Sequence, residues 1–319
     1  MPKLLISNLV YGEVYTDIFL NLHLKSLLEN LSEKFFEKDS YYLIYTDGKN
    51  IKAIKSHINF HRLNQWMKVH FVIIENGLTY ENRYNVQTIQ LQNSVKFALD
   101  SNIDYMMIAC ADVYYGPDVF KLVFNILDEN KYSSIWTAAF RATYETTKDI
   151  LFEHCLSKSQ LYDLVFQNIH PLWMHADWNS HRFTKIPYQM IWSNDSQLIM
   201  RGYSWTPIIF KPESWMLNAS GCIDISFDPN IETIYWCQGW WEIPLVELGQ
   251  LHHFYPPFGN KVAKVDDVVN WTRASIPQRN WNNLKRYWFF DKGKSDILAS
   301  LMIKTSDLIV DEISVKLNM

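Results

Sequence analysis

The chain has 319 residues, of which 48% are hydrophobic and 20% charged, and this balance predicts a folded protein with a large core. Its formal net charge of -4 disfavours a nucleic-acid-binding protein, because such proteins usually present a basic surface. The four cysteines include no Cys-x-x-Cys pair, which disfavours a zinc site or a redox motif and favours reduced thiols in a cytoplasmic protein. Aromatic residues make up 15% of the chain, which indicates a large packed core, a surface that stacks on sugars, or both.

The amino-terminal segment predicts a strand rather than a targeting signal. Its short apolar run soon meets Gly12 and Glu13, whereas a signal peptide has a longer apolar region. No apolar run approaches the roughly 18 residues that a membrane span needs. We therefore expect a cytoplasmic protein, with peripheral membrane contact left open for the basic, aromatic segment 279–290.

Strands and helices alternate through the first half of the chain. Apolar runs predict strands at 3–12, 41–48, 68–75, 104–112 and 133–142. Amphipathic patterns predict helices at 15–38, 50–60, 85–102 and 118–130. This alternation predicts right-handed crossovers and an α/β fold of the Rossmann type, with a mainly parallel sheet flanked by helices.

The second half has a less regular pattern. One or two helices are predicted at 145–171, strands at 197–212, 220–230 and 231–249, and a helical end at 279–317. We expect residues 1–145 to form a nucleotide-binding half and residues 146–319 to form an aromatic-rich elaboration on the acceptor side. No linker separates the two halves, which favours one continuous domain.

Several polar residues follow the predicted strands. Ligands of parallel sheets bind beyond the carboxyl ends of the strands, so residues at these ends are candidates for one common site. The candidates are Tyr11, Gly12, Thr46, Asp47, Glu75, Asp112 and Tyr114. A role in turns is the alternative for Gly12 and for Asp47, which precedes a glycine.

Asp112 is the most informative of these residues. It ends the apolar run YMMIACAD, and a carboxylate at the end of an inner strand is costly unless it meets solvent, a cation or a ligand. Hard cations such as Mg²⁺ and Mn²⁺ take oxygen ligands and share them with substrate phosphates, so Asp112 is the candidate metal ligand. The alternative is a turn-capping role before Pro117.

Familiar catalytic fingerprints are absent from the sequence. It contains no Gly-x-Gly-x-x-Gly and no P-loop, which disfavours the usual dinucleotide and triphosphate sites. Gly-x-Ser-x-Gly and His-Glu-x-x-His are also absent, which disfavours α/β-hydrolases and zincins.

The second half offers candidates for acceptor binding and catalysis. A carboxylate is needed where a sugar-transfer enzyme inverts configuration, because it deprotonates the acceptor hydroxyl. Asp224 and Glu242 are the leading candidates for this base, and Asp228 and Glu247 are further acids in the same segments.

The remaining candidates are aromatic, basic or imidazole side chains. We expect acceptor contacts from His175, Asp177, His181, Trp240 and Trp241. A transition-metal site that also includes His170 is an alternative for the histidine-rich segment. Arg141 and Arg201 are candidates for phosphate contacts, with surface ion pairs as the alternative.

The segments VYGEVYTDIFLNLHLKSLLEN, YYLIYTDG and MMIACADVYYGPDVF resemble bacterial glycosyltransferase-like proteins of the GT-A type. The resemblance extends over about residues 3–290 and includes His170-Pro171 and IDISFD. It implies a nucleotide-sugar donor bound across the strand ends, with Asp112 at the metal-binding carboxylate and Thr46-Asp47 near the base. Only one acid of the usual Asp-x-Asp pattern is present, which leaves metal dependence open.

These observations favour a cytoplasmic glycosyltransferase that builds a surface polysaccharide or a lipid-linked glycan. Its partners would be a nucleotide-sugar donor and a glycan or glycolipid acceptor. The first alternative is a non-catalytic carbohydrate-binding protein on a transferase-like fold. The second is a sugar nucleotidyltransferase, which the lack of a glycine-rich loop after the first strand disfavours.

Overall fold

The computed structural model describes residues 1–32, 34–74, 83–129, 131–203, 205–219, 233–251, 259, 261–291 and 297–319. The side chains of residues 83, 297 and 298 are outside this description. The predicted strand 220–230 and the candidates Glu75, Asp224 and Asp228 also lie outside the described residues.

The main sheet of the described chain has seven strands in the order β11-β6-β10-β4-β1-β2-β3. The strands are β1 (Leu4–Leu9), β2 (Tyr41–Thr46), β3 (Lys68–Ile73), β4 (Tyr105–Cys110), β6 (Ser134–Thr137), β10 (Thr206–Phe210) and β11 (Ile234–Trp236). Strand β10 runs antiparallel to both neighbours, and the other adjacent strands are parallel. The predicted α/β class with a mainly parallel sheet is confirmed.

Helices cover both faces of this sheet. They are α1 (Gly12–Ile18), α2 (Leu24–Asn30), α3 (Ile51–Ser56), α4 (Ile58–Trp66), α5 (Arg83–Asp100), α6 (Val119–Asp128), α7 (Tyr144–Glu153), α8 (Lys158–Gln167), α9 (Pro171–Ala176), α10 (Val265–Ser275) and α11 (Ile297–Leu317). Single 3-10 segments occupy Ser214–Asn218 and Gln278–Lys285, and a π-helical turn, Phe19–His23, joins α1 to α2.

The inner strands are apolar on both faces, as expected for a sheet that is covered on both sides. Leu4 and Ile6 pack with Leu27 of α2, whereas Leu5 between them packs with Val95 of α5. The side chains of Leu4, Leu5, Ile6 and Val95 are all fully buried. The continuous apolar runs in the sequence therefore arise from two cores, one on each face.

Two smaller sheets account for the irregular second half. One has the order β5-β12-β7, with β5 (Val113–Tyr115), β7 (Phe140–Thr143) and β12 (Leu245–Gly249). The other has the order β13-β9-β8, with β8 (Gln189–Ser193), β9 (Leu198–Gly202) and β13 (Trp288–Phe290).

Several predicted elements differ from the structure. The strand predicted at 197–212 is two strands, β9 and β10, and the one predicted at 231–249 is also two, β11 and β12, and in each case the two belong to different sheets. The single strand at 133–142 is two strands, β6 and β7, which belong to different sheets. The helix at 15–38 begins at Gly12 and ends at Asn30, and the helix at 50–60 is split into α3 and α4 at His57. The helical end at 279–317 includes strand β13, because residues 288–290 pair with β9.

Most of the large aromatic side chains pack in the core. Trp136, Trp205, Trp240 and Trp288 are almost completely buried. Phe290 of β13 stacks on Phe140 of β7, with 4.0 Å between the ring centroids. The aromatic content therefore serves packing to a large extent, and the carboxyl-terminal elaboration contributes to the same core as the first half.

Arg201 anchors the carboxyl-terminal helix. The side chain is 1% exposed; its Nε donates to Ser306 Oγ at 2.8 Å and its Nη1 donates to the Lys285 carbonyl at 3.0 Å. Its Nη2 forms an ion pair with Asp307 of α11. These contacts correspond to the ion-pair alternative for Arg201 rather than to a phosphate contact.

Among the described residues, every helix is too short or too polar to cross a bilayer.

Candidate functional site

The strand order changes direction next to β1. Strands β2 and β3 follow β1 on one side, whereas the chain crosses to the other side to form β4. In open α/β sheets, ligands bind outside the carboxyl ends of the strands at such a switch point. Tyr11 and Gly12 follow β1 and Asp112 follows β4, so these residues border the switch point.

Strand β12 brings two more charged residues to Asp112. It pairs with β5 on one side and with β7 on the other, which places Glu247 opposite both Val113 and Arg141. The backbone N–H of Leu248 donates to the Asp112 carbonyl at 2.8 Å. Arg141 Nη2 forms an ion pair with Glu247 Oε1, and both side chains are largely buried.

The electrostatic environment favours the protonated form of Asp112. Burial raises the pKa of Asp112 to about 7, and the negative charge of Glu247 adds to the shift, while Arg141 opposes it. The carboxylates of Asp112 and Glu247 are thus both influenced by the single guanidinium of Arg141 in buried surroundings. A further positive charge at this position would stabilise both ionised acids.

Tyr15 and His170 complete the surroundings of the three charged residues. Burial and the charge of Asp112 raise the pKa of Tyr15, which keeps its hydroxyl protonated. Burial, followed by the charge of Arg141, lowers the pKa of His170 to about 4. The His170 ring lies against Gly249, where an added Cβ would be 2.8 Å from Cδ2. The His170 imidazole is therefore neutral at pH 7, and it packs against β12, the strand that carries Glu247.

The ends of β1 and β2 have different local roles. Gly12 has a φ of 75°, a left-handed conformation that glycine adopts without strain, and Tyr11 before it is half-buried. The Thr46 hydroxyl is buried and has no hydrogen-bond partner among the described residues. Asp47 Oδ1 accepts from the backbone N–H groups of Lys49 and Asn50, each at 3.0 Å, and so holds the turn into α3.

Tyr114 is a core residue. It is almost fully buried, and burial, followed by the charge of Glu29, raises the pKa of its hydroxyl. The carboxylate that acts most strongly on Tyr114 is therefore Glu29 and not Asp112. The structure does not bring the Tyr114 hydroxyl to the charged residues at the switch point.

Glu242 lies in the turn that precedes β12, whereas Glu247 is in the middle of that strand. Its Oε2 accepts from the Tyr235 hydroxyl at 3.2 Å and from the Gln238 N–H at 3.3 Å. Burial raises the pKa of Glu242, although both hydrogen bonds oppose this shift. The structure therefore gives Glu242 an environment separate from that of Asp112.

The two adjacent tryptophans have different surroundings. Trp240 is 1% exposed, its Nε1 donates to the Leu245 carbonyl at 3.2 Å, and its ring packs on Phe290. This position makes Trp240 a core residue rather than a stacking surface. Trp241 is half-buried and its ring lies over Gly239, which leaves only Trp241 of the pair with exposed surface.

The histidine-rich segment begins at His170 and includes α9, so that His175 lies in α9 while Asp177 and His181 follow it. His175 Nδ1 lies 3.1 Å from the Arg182 carbonyl, and burial lowers the pKa of His175. Asp177 Oδ1 accepts from the Asn179 N–H at 2.8 Å, and burial raises the pKa of Asp177. His181 is exposed. Across the described ranges, no group of three His, Cys, Asp or Glu side chains is arranged to hold a metal ion.

A cavity of about 670 Å³ opens at the amino-terminal edge of the sheet, where β2 and β3 begin. Its lining includes Lys34, Trp66 and Lys68, and none of the candidate site residues. The cavity lies at the opposite edge from Asp112. The cavity is therefore separate from the polar residues at the strand ends.

In the sequence, Tyr15 is a candidate for ligand contact after the first strand and Glu247 is one of four candidate acids, but neither was predicted to act on Asp112. Tyr15 follows the first strand closely, so its proximity to the strand ends was visible in the sequence. The position of Glu247 opposite Val113 and Arg141 could not be predicted from the sequence, because its pairing partners in β5 and β7 are distant in sequence.

No protein-family model matches the chain, and no curated protein matches it. The structure itself defines an α/β protein with an acid–guanidinium group at the switch point of its main sheet.

Proposed function

We propose that the chain is a glycosyltransferase that transfers a sugar from a nucleotide-sugar donor to a glycan or glycolipid acceptor in surface polysaccharide synthesis. The observation that carries the proposal is the group formed by Asp112, Glu247 and Arg141 at the switch point. A nucleotide-sugar combines a flat base, a ribose and a diphosphate, and such ligands suit the crevice beyond the ends of parallel strands.

The charges of this group match the needs of a diphosphate. Arg141 is held in place by Glu247 and supplies a fixed guanidinium, which binds phosphate oxygens in a planar, two-pronged geometry. The buried hydroxyl of Thr46 supplies an unused donor and acceptor at the neighbouring strand end, where we place the nucleoside. Gly12 lets the backbone approach the ligand closely.

Asp112 and Glu247 fit Mg²⁺ or Mn²⁺ if the phosphates of the donor supply other ligands of the ion. Such ions are often held by one or two carboxylates together with substrate phosphates, rather than by a cage of protein ligands. Asp112 would hold the ion, and Glu247 is the acid whose charge acts on Asp112. When bound, the ion would neutralise charge on the diphosphate leaving group.

The acceptor would lie against the second half of the chain. Glu242 remains the candidate for the base among the described residues, since burial raises its pKa and a carboxylate with a raised pKa is the stronger base. Trp241, His175, Asp177 and His181 remain acceptor candidates. If the reaction retains configuration, no such base is required and Glu242 has another role.

The first test is the thermal stability of the protein with a panel of nucleoside diphosphates, with and without Mn²⁺. At 100 times the dissociation constant, a ligand stabilises the folded state by about 2.7 kcal/mol. We expect one nucleotide to stabilise the wild type, and we expect Asp112→Asn to abolish the effect. Asp118→Asn is the matched control, because Asp118 is an exposed acid six residues further along the chain.

A second measurement tests turnover. Release of nucleoside diphosphate from the matching nucleotide-sugar, in the presence of glycan acceptors, would support a transferase. Absence of stabilisation by every nucleotide would contradict the proposal and favour the carbohydrate-binding alternative. The buried positions of Trp136, Trp205, Trp240 and Trp288 weaken that alternative, because tryptophan abundance was one of its two motivations, beside the single acid at Asp112.

A further inference from the structure

Helix α11 carries a line of exposed apolar side chains. Leu301 is 60% exposed, Leu308 is 72% exposed and Val315 is 76% exposed. These residues are seven apart, which is close to two helical turns, so they share one face of the helix. The opposite face carries buried residues, including Val310 and Ile313, that pack against the body of the protein.

Charged residues flank this apolar line. Lys304 is exposed and lies one turn before Leu308, while Asp311 and Glu312 are exposed and lie one turn after it. Of these three charges, the positive one thus precedes Leu308 and the two negative ones follow it. The helix also carries Asp307, which pairs with the buried Arg201, and Lys316, which pairs with Glu312 at 3.1 Å. This distribution makes the surface complementary to a reversed copy of itself.

An antiparallel pair of α11 helices centred on Leu308 satisfies both patterns. Leu301 and Val315 are each seven residues from the centre, so Leu301 lies level with Val315 of the partner subunit. Lys304 then lies level with Glu312 of the partner subunit and next to Asp311 of the partner subunit. A parallel pair would instead bring each side chain against its own copy, with like charges facing one another.

We propose that the exposed face of α11 is a homodimer interface in which two copies of this chain pair antiparallel about a two-fold axis at Leu308. A two-fold axis requires a self-complementary surface, which the apolar line and its flanking charges provide. The proposal is independent of the proposed enzymatic function.

The charge of the helix favours a second copy over a lipid surface. Helix α11 has two lysines, Lys304 and Lys316, against three acids, Asp307, Asp311 and Glu312. Amphipathic helices that bind anionic membranes carry an excess of basic residues on the polar face. The apolar line extends over about 21 Å of helix, so the interface is at the small end of stable interfaces and we expect a concentration-dependent dimer.

The test is sedimentation velocity of the full chain over a wide range of concentrations. We expect wild type to shift from monomer to dimer, and Leu308→Glu, which places two like charges at the axis, to weaken the dimer at least about tenfold. Ile58→Glu is the matched control, since Ile58 is a 66% exposed apolar residue on α4. Unchanged thermal unfolding of Leu308→Glu will show that the variant is folded.

Charge exchange tests the antiparallel register. The variant Lys304→Glu should self-associate weakly, and so should the double variant Asp311→Lys with Glu312→Lys, because each brings like charges together. An equimolar mixture of the two should recover dimerisation, since every facing pair is then of opposite sign.

Three results would overturn the proposal. They are a wild type that stays monomeric at all concentrations, a dimer that Leu308→Glu leaves unchanged, and a mixture that fails to recover dimerisation. Binding of wild type to phosphatidylserine vesicles that is lost in Leu308→Glu, without any dimer, would assign the surface to a membrane.

Discussion

Acid should destabilise this protein through one buried histidine. His23 in the π-helical turn is fully buried; its Nδ1 lies 2.9 Å from the Val113 carbonyl and its Nε2 lies 3.2 Å from the Tyr42 hydroxyl. Burial lowers the pKa of His23 from 6.5 to about 4, although the hydrogen bond to Val113 opposes the shift. The folded state therefore binds this proton more weakly than the unfolded chain does.

The magnitude follows from the difference between the two pKa values. A shift from 6.5 to about 4 corresponds to about 3 kcal/mol of stability. This stability is fully present above pH 6.5 and is lost as the pH falls from 6.5 through 4. It then remains constant at lower pH, where both the folded and the unfolded states are protonated at His23.

The assay is urea unfolding of wild type and His23→Gln at a series of pH values. Glutamine is neutral throughout, so the free energy of unfolding of wild type should fall by about 3 kcal/mol more than that of the variant between about pH 7.5 and pH 4. The comparison isolates His23, because Asp112 has a raised pKa in both proteins and contributes a pH dependence of opposite sign. His181→Gln, an exposed histidine, should follow wild type. Parallel curves for wild type and His23→Gln would refute the reasoning.

Two further substitutions separate structural from ligand-binding roles. Arg201→Met removes three polar contacts of a buried guanidinium and should lower the free energy of unfolding by about 2 kcal/mol, measured with urea, without changing nucleotide binding. Weaker nucleotide binding at unchanged stability would contradict the anchoring role of Arg201. Asp47→Ala removes the acceptor that holds the turn into α3 and should cost about 1 kcal/mol, whereas Asp47→Asn keeps an acceptor oxygen and should recover most of that loss. Equal losses in the alanine and asparagine variants would show that the charge, not the turn, is what stabilises the fold.

The parallel part of the fold was predictable because its signals are local. The parallel strands β1 to β4 are separated from one another by helices in the sequence, and strands such as β1 and β4 contribute side chains to the cores on both faces of the sheet. The same local reasoning fixed the position of Asp112 at the end of β4. The order of the elements therefore predicted a mainly parallel sheet, but it did not predict that β4 pairs with β1 rather than with β3.

The second half was less predictable because its strands are short and pair with distant segments. Strand β13 has three residues and pairs with β9. Segment 133–142 reads as one apolar run, yet the chain leaves the main sheet after Thr137 and enters another sheet at Phe140. Short apolar runs do not contain the information that assigns them to one sheet or another, because tertiary pairing decides it.

The arrangement around Asp112 shows how such distant pairing shapes a site. The sequence after Asp112 continues with Val113 and Tyr114, so the second acid of an Asp-x-Asp pattern is missing locally. Strand β12 brings Glu247 opposite Val113 and also opposite Arg141. Burial, followed by the charge of Glu247, raises the pKa of Asp112 to about 7, and any cation bound there would favour its ionised form. The protonation of Asp112 therefore depends on Glu247, which is distant from it in sequence. The substitution Glu247→Gln should lower the pKa of Asp112, although it leaves the sequence neighbours of Asp112 unchanged.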